Sequence, residues 1–203
     1  MQYPPKIHQD NNKEHMLEVM KSYPLATLIT VSDNQPLVTH LPLIYRDEDQ
    51  KLIGHIDIYN PQAQQLRDGN DVTVIFYGPQ CYISPTVYTT TQLPTYNYIR
   101  VHLKGKVEAI ESVDALRDSL ITMTEFLEEP DQKFVLERDN PKMAHYINYI
   151  RMFEISITQW EGKFKLSQDK KPRDMEHAKQ ELIRVNQESI KTFLDKILSK
   201  KNN

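Results

Sequence analysis

Two lysines and a serine near the C-terminal end of the chain have a spacing that suits an anionic ligand. The segment KFKLSQDKKPR, residues 163–173, holds five basic residues and one acidic residue. On an extended strand Lys163, Lys165 and Ser167 share one face, because successive side chains point to opposite sides. That face suits a phosphate group, although the composition fits equally well a solvated turn that leads into a helix.

Three histidines fall on segments that have the pattern of strands. His40 lies in THLP, His55 in GHID and His102 in VHLKG. A histidine on a strand is more often a hydrogen-bonded structural residue than a reactive one, but three together favour a polar pocket. A flavin ring would suit such a pocket, because it is a large planar aromatic group whose polar edges need directional partners in an apolar slot.

A third feature is the hydroxyl-rich stretch YISPTVYTTTQLPTYNY, residues 82–98. It contains ten hydroxyl side chains, four of which belong to tyrosines. Tyrosines pack as plates while their hydroxyl groups still find partners. The stretch therefore fits the wall of a ligand pocket or a subunit interface, and its composition leaves both interpretations open.

Several kinds of active site lack the residues that they require. The five glycines lie at least nine positions apart, which excludes both the P-loop and the Rossmann fingerprint. The histidines do not have the helical spacings of zinc sites, the single Cys81 cannot form a cysteine pair, and no GxSxG motif is present. We therefore predict no metal site and no catalytic residue, and we assign any redox chemistry to a bound cofactor.

Charge and hydropathy limit the classes of partner that the chain is expected to have. A formal net charge of −3 and a pI near 6.2 lack the basic signature of a nucleic-acid binder. The N-terminus has no signal-like region, and no stretch approaches the roughly eighteen apolar residues of a membrane span. We expect a cytoplasmic protein that does not associate with membranes.

The hydrophobic pattern predicts a mainly β chain with flanking helices. Short polar turns separate the first predicted strands, which implies antiparallel neighbours. Strands are predicted over 25–31, 37–45, 51–58, 72–78 and 96–110, the last with a possible bulge at Gly105, and a hairpin over 152–168 is predicted to turn at Glu161-Gly162. Helices are predicted over 13–22, from Pro61 to Leu66, and over 112–128, 141–150 and roughly 174–200. Together these elements predict one domain, residues 1–203, with a closed antiparallel barrel and an appended C-terminal helix.

Five segments, in this order, resemble the PaiB-type FMN-binding negative transcriptional regulators. They are THLPL (39–43), GHIDIYNPQ (54–62), VIFYGPQCYISPTVY (74–88), LPTYNYIRVHLKG (93–105) and EGKFKLSQDKKP (161–172). The resemblance spans nearly the whole chain. It implies a split β-barrel of the FMN-binding type, related in fold to pyridoxamine phosphate oxidases and flavin reductase-like proteins, that forms a homodimer with the flavin at the subunit interface.

The resemblance also implies cofactor-binding residues. The positions that match the family motifs are His40, His55, Asn60, Gln62, Ser84, Thr95, Asn97, Tyr98, Lys165, Ser167 and Gln168. The chain departs from the family at Val87 and Tyr96, where tryptophan is common, and in a shorter 86–93 loop. These departures bear on FMN affinity, since aromatic area and a phosphate partner both contribute to binding.

Three functions are compatible with this resemblance. The leading hypothesis is a regulatory or redox-sensing flavoprotein. The first alternative is a flavin reductase-like oxidoreductase that uses FMN with a nicotinamide or another small redox substrate. A repressor that binds DNA directly ranks last, because the chain is acidic and has no helix-turn-helix signature. A haem protein with the same fold is a further and less favoured alternative.

Overall fold

Seven β-strands and four α-helices make up the part of the chain that the structure describes, namely residues 4–186 together with 194, 195 and 198. The structure is a computed structural model. The strands are β1 (Gln9–Asp10), β2 (Leu25–Ser32), β3 (Gln35–Arg46), β4 (Lys51–Asp57), β5 (Asp71–Ile83), β6 (Thr95–Ile110) and β7 (Ile150–Lys165). The helices are α1 (Lys13–Ser22), α2 (Val113–Glu128), α3 (Pro141–Tyr146) and α4 (Pro172–Asn186), and short 3₁₀ helices cover Lys6–His8, Pro61–Gln65, Pro85–Val87 and Ile147–Tyr149.

The strands are hydrogen-bonded in the order β1-β7-β4-β3-β2-β5-β6, and β7 also pairs with β6. The pairs β1–β7, β2–β3, β3–β4 and β4–β7 are antiparallel. Asp33 and Asn34 connect β2 to β3 with φ angles of 49° and 60°, the conformation of a tight type I′ hairpin turn. The prediction of a mainly antiparallel sheet with flanking helices is confirmed.

The chain divides into two compact units. The first comprises residues 1–23, 76–102 and 160–203, and the second comprises residues 24–75 and 103–159. The long strands β5, β6 and β7 each contribute residues to both units. Each unit is therefore assembled from segments that are far apart in the sequence.

The core of the second unit forms where α2 packs on the sheet. Ser112 caps α2, and its Oγ accepts a hydrogen bond of 3.2 Å from the backbone N–H of Ala115. The buried residues of this cluster are Ile44, Ile53, Leu116, Met123, Ile147 and Met152. Burial of each such side chain contributes roughly 1.5–3 kcal/mol, so this cluster anchors the helix.

In the first unit, α1 begins as predicted at Asn12, whose side chain accepts a hydrogen bond of 3.0 Å from the N–H of Glu14. The helix buries Val19 and Met20, which are 0% and 2% exposed. Phe76, Ile99 and Phe164 are also fully buried in this unit. Cys81 is a buried free thiol, as predicted, and burial raises its pKa to about 11.

The predicted hairpin over residues 152–168 is wrong, because β7 runs as one strand from Ile150 to Lys165. Gly162 lies opposite Asp10 of β1, and a Cβ atom on it would clash with the Asp10 carbonyl oxygen. This glycine therefore allows two backbones to approach closely and does not form a turn.

Other predicted boundaries also shift. Strand β5 does not end at Gly78-Pro79 but continues to Ile83. Burial alternates through Gly105 without a bulge, and a Cβ atom there would lie 2.7 Å from the carbonyl oxygen of Ser156. The helix that begins at Pro61 is a 3₁₀ helix, and α3 ends at Tyr146 before a 3₁₀ turn. The last predicted helix begins at Pro172; beyond 186 only 194, 195 and 198 of its predicted range are among the described residues.

Candidate functional site

A polar cluster in the first unit brings four of the predicted site residues together. The Nζ of Lys165 donates a hydrogen bond of 2.6 Å to the Oγ1 of Thr95. The Oγ of Ser167 donates to the Oδ1 of Asn97 at 3.1 Å, and the same Ser167 Oγ lies 2.9 Å from the hydroxyl of Tyr88. We call these five residues, Tyr88, Thr95, Asn97, Lys165 and Ser167, the Lys165 cluster.

The local backbone explains how Ser167 joins this cluster. Strand β7 ends at Lys165, and Ser167 adopts a left-handed φ of 62° with only 2% of its surface exposed. A non-glycine residue in this conformation needs supporting contacts. The hydrogen bonds to Tyr88 and Asn97 supply them, so the turn after β7 is held by residues 70 and 79 positions earlier.

Lys165 differs from its basic neighbours in what it contacts. Lys163 pairs with Glu161 at 2.9 Å, and Lys170 pairs with Asp169 at 2.7 Å. Among the described residues no carboxylate forms an ion pair with Lys165, whose partner is the neutral Thr95 hydroxyl. Its half-buried ammonium group is therefore the one of these three that retains an uncompensated charge for an anion.

The hydroxyl-rich stretch is also tied to the start of α4. Asp174 is fully buried in the first turn of that helix. One carboxylate oxygen accepts hydrogen bonds from the N–H and hydroxyl of Thr89 at 2.6 and 2.7 Å, and the other accepts from the Thr90 hydroxyl at 2.5 Å. These bonds, that of Thr90 above all, lower the pKa of Asp174 to about 2. Sequence reasoning missed Asp174, although an acidic residue two positions after Pro172 is typical of a helix start.

Three other predicted residues of the first unit have separate partners. The Oε1 of Gln168 accepts a hydrogen bond of 2.7 Å from the Leu166 N–H and lies 3.0 Å from the Nδ1 of His8, a contact that sequence reasoning also missed. Ser84 caps the 3₁₀ helix Pro85–Val87. Tyr98 is half-buried, with the guanidinium carbon of Arg100 6.0 Å from its ring centre.

In the second unit, the half-buried Asn60 and the buried Gln62 form a polar pair. The Oδ1 of Asn60 caps the 3₁₀ helix by accepting from the N–H of Gln62 at 2.9 Å, and its Nδ2 donates to the Thr39 hydroxyl at 3.0 Å. Gln62 is 1% exposed, and its Nε2 lies 3.1–3.2 Å from three oxygens, those of the Leu28 and Leu37 carbonyls and the Thr30 hydroxyl. Its Oε1 is buried without a hydrogen-bond partner among the described residues.

The histidines do not share one set of partners. His40 is exposed on β3, with its Nδ1 2.8 Å from the Thr27 hydroxyl. His55 lies on β4 with its Nε2 2.8 Å from the Oγ of Ser119, and burial lowers its pKa to about 4. Burial, followed by the positive charge of Lys163, lowers the pKa of His102 in the first unit. His40 and His55 therefore have separate environments within the second unit.

Each unit, taken by itself, has groups that fit FMN. In the first unit the Lys165 ammonium group and the Thr95 hydroxyl can donate hydrogen bonds, as a phosphate requires. The Oε1 of Gln62 is an unused acceptor, and a buried acceptor without a partner is costly unless a ligand donates to it. A flavin ring carries such a polar donor on its edge.

Residues 2–159 match the protein family described as "Putative FMN-binding domain". The chain belongs to this family. The Bacillus subtilis protein named protease synthase and sporulation protein PAI 2 is 29% identical to it over 175 residues, which is 85% of this chain and 84% of that protein. The predictions of a PaiB-type flavoprotein and of FMN as its cofactor are confirmed.

Solved structures show the same fold at low sequence identity. An FAD and haem binding protein from Mycobacterium smegmatis is 20% identical with a TM-score of 0.63, covering 83% of this chain and 79% of that one. The flavocytochrome Anf3 from Azotobacter vinelandii is 18% identical with a TM-score of 0.59, covering 77% and 69%. The fold of this FMN-binding family member is thus the flavin-binding split barrel, as predicted.

No helix in the described part of the chain is long and apolar enough to cross a membrane. No group of three or more histidine, cysteine, aspartate or glutamate side chains in it could hold a metal ion. Lys165 and Ser167 of the Lys165 cluster lie beyond the range that matches the family, whereas Tyr88, Thr95 and Asn97 lie within it.

Proposed function

We propose that this PaiB-type flavoprotein acts as a regulatory or redox-sensing protein, a cytoplasmic homodimer in which residues 1–203 work as one domain. The observation that carries the proposal is the ammonium group of Lys165, which is half-buried beside hydroxyl groups and has no carboxylate partner among the described residues. A cation in that environment favours an anionic ligand. Membership of the FMN-binding family supports the FMN phosphate as that anion.

Each group of residues has a distinct task in this proposal. Lys165 and Thr95 would hold the phosphate, and the hydrogen bonds of Ser167 to Tyr88 and Asn97 would fix the turn that follows Lys165. When bound, FMN supplies the electron chemistry, while the protein binds it, orients it and controls access of water.

Absorption spectroscopy and a titration test the proposal. The purified protein is expected to show a flavin spectrum or to bind added FMN, and to bind FMN more tightly than riboflavin, which has the same ring but no phosphate. Equal affinity for the two would remove the phosphate role of the Lys165 cluster. A protein that binds neither would overturn the flavoprotein assignment itself, and a haem spectrum would redirect it.

The same preparation separates the alternative functions. Saturable oxidation of a reduced nicotinamide at a rate well above that of free FMN would identify a flavin reductase-like enzyme in place of a sensor. A salt-sensitive gel shift that depends on residues 163–173 would identify a direct DNA-binding repressor. The net charge of −3 argues against that last result.

A further inference from the structure

A groove in the second unit, unrelated to the Lys165 cluster, combines an apolar wall with two guanidinium groups. Its volume is about 620 Å³, and it runs along residues 58 and 66–68, the segment 109–116 and residues 147–151. Leu66, Leu116 and Ile147 form buried parts of its wall. We propose that this groove binds a small organic monocarboxylate with an apolar body.

The two guanidinium groups are those of Arg67 and Arg151. Within the described part of the chain neither forms an ion pair, whereas Arg46 pairs with Glu154 at 2.8 Å and Arg138 pairs with Asp114 at 3.1 Å. The Nη1 of Arg151 donates to the carbonyl oxygen of Ala63 at 2.8 Å, which orients its remaining donors. Unpaired guanidinium groups at a groove favour a carboxylate, which they bind through two parallel hydrogen bonds.

Two acidic residues in the same groove limit the charge of the ligand. The Oδ1 of Asp68 accepts a hydrogen bond of 2.6 Å from the N–H of Ala109, so this carboxylate is already engaged with the backbone. Glu111 is exposed on the segment that follows β6. The two acids balance the formal charge of the two arginines, and the groove is therefore unsuited to a polyanion. A ligand with a single carboxylate can pair with Arg67 or Arg151, whereas each further negative charge would add to the repulsion from Glu111.

The wall explains why the rest of the ligand must be apolar. Besides the three buried residues, Ile58, Ile110 and Ile150 line the groove. Burial of ligand carbon against such side chains contributes about 25 cal/mol per Å². A purely polar anion would lack this stabilisation by apolar burial. The neutral analogue of an apolar acid would lack the charge attraction and hydrogen bonds to the arginines.

The groove also adjoins one of the predicted cofactor residues. Arg151 holds the carbonyl of Ala63, the neighbour of Gln62 in the 3₁₀ helix Pro61–Gln65. A bound carboxylate that draws Arg151 toward itself would weaken the hydrogen bond between Arg151 and the Ala63 carbonyl. Binding in the groove is therefore placed to influence Gln62, although the inference of a carboxylate site does not depend on FMN.

Calorimetric titration of the full-length protein with two probes, 4-phenylbutyrate and decanoate, tests the inference. Each acid is expected to bind saturably and about tenfold or more tightly than its alcohol, 4-phenylbutan-1-ol or decan-1-ol. Arg67→Gln and Arg151→Gln should each weaken the acids about tenfold and leave the alcohols unchanged. Glu111→Gln should tighten the acids, because it removes a repelling charge.

Arg184→Gln is the matched control, since that exposed guanidinium pairs with Glu181 on α4 in the first unit, and it should leave acid binding unchanged. Circular dichroism melting curves establish that each variant is folded. Acids and alcohols that bind equally, or acid binding that is unaffected by both arginine substitutions, would overturn the inference, as would the absence of saturable binding by either acid. Competition between FMN and the acids in which each fully excludes the other would overturn a separate groove, because it would place the acids in the flavin site. Because the titration is run without FMN first, its failure is distinct from failure of the flavoprotein proposal.

Discussion

The hydroxyl of Tyr88 lies 2.9 Å from the Oγ of Ser167, a residue 79 positions further along the chain. Since the single Ser167 hydroxyl hydrogen is directed to the Oδ1 of Asn97, Tyr88 must be the donor to Ser167. All three residues are buried, with at most 8% of their surface exposed. Tyr88 and Asn97 therefore anchor the hydroxyl-rich stretch in the first unit by hydrogen bonds, while Tyr82 and Tyr96 of the same stretch are exposed.

This relationship predicts energetic coupling between the two residues. Tyr88→Phe and Ser167→Ala should each lower the free energy of unfolding by roughly 0.5–1.5 kcal/mol. The double variant should lose clearly less than the sum of the two, because the single substitutions remove the same hydrogen bond. Urea denaturation of the four proteins measures the coupling. Strict additivity would show that the bond contributes nothing.

Lys165→Gln is predicted to weaken FMN binding without affecting riboflavin. Hydrogen bonds that involve a charged group contribute about 1.5–3 kcal/mol, so affinity for FMN should fall roughly tenfold to a hundredfold. Fluorescence titration with both ligands gives the comparison. Lys170→Gln is the matched control, because Lys170 already pairs with Asp169. An equal loss for both ligands would mean that Lys165 supports the fold and not the phosphate.

Sequence reasoning worked best where the physical cause is local. Asn12, Asn60 and Ser112 lie at the starts of helices that the sequence predicts, and each accepts the capping backbone hydrogen bond. The strand predicted over 96–110 buries Ile99 and Val101 on one face, as alternation requires. A helix cap or an alternating buried face depends only on neighbours within a few positions, so it can be predicted from the sequence.

The errors arose where the cause lies far away in the chain. Gly162 was interpreted as a turn, but its role depends on Asp10, about 150 residues earlier in the sequence. The contact between Lys165 and Thr95 likewise spans 70 residues. Family motifs named both residues as candidates, but only the strand pairing shows that they meet. The role of Asp174 was not predicted, because its hydrogen-bond partners Thr89 and Thr90 lie 85 and 84 positions earlier in the chain.

His55 is predicted to make stability depend on pH. The Ser119 hydroxyl donates to the Leu116 carbonyl, so the Nε2 of His55 must carry the hydrogen that it shares with Ser119. Burial lowers the folded-state pKa from 6.5 to about 4, and the unfolded chain therefore binds more protons between these values. The stabilising contribution is complete above about pH 6.5 and is lost as the pH falls toward 4, by up to about 3 kcal/mol.

The measurement is the free energy of unfolding between pH 4 and 7. His55→Gln keeps a donor for Ser119 but cannot titrate, so its stability should change less over this range. His145→Gln, at an exposed position on α3, is the matched control and should keep the slope of the parent protein. A parent slope that persists in His55→Gln would assign the pH dependence to other groups.

Substitutions at Gly162 test whether this residue allows a close approach of two backbones or forms a turn. A Cβ atom at this position would clash with the carbonyl oxygen of Asp10, so Gly162→Ala should lower the free energy of unfolding by about 1–3 kcal/mol. Gly162→Asn should be at least as harmful, because its side chain adds more atoms to the same contact. In a hairpin turn, by contrast, asparagine would be tolerated better than alanine, since it adopts left-handed conformations readily. Chemical denaturation of the two variants decides between these cases. An asparagine variant more stable than the alanine variant would support the hairpin interpretation instead.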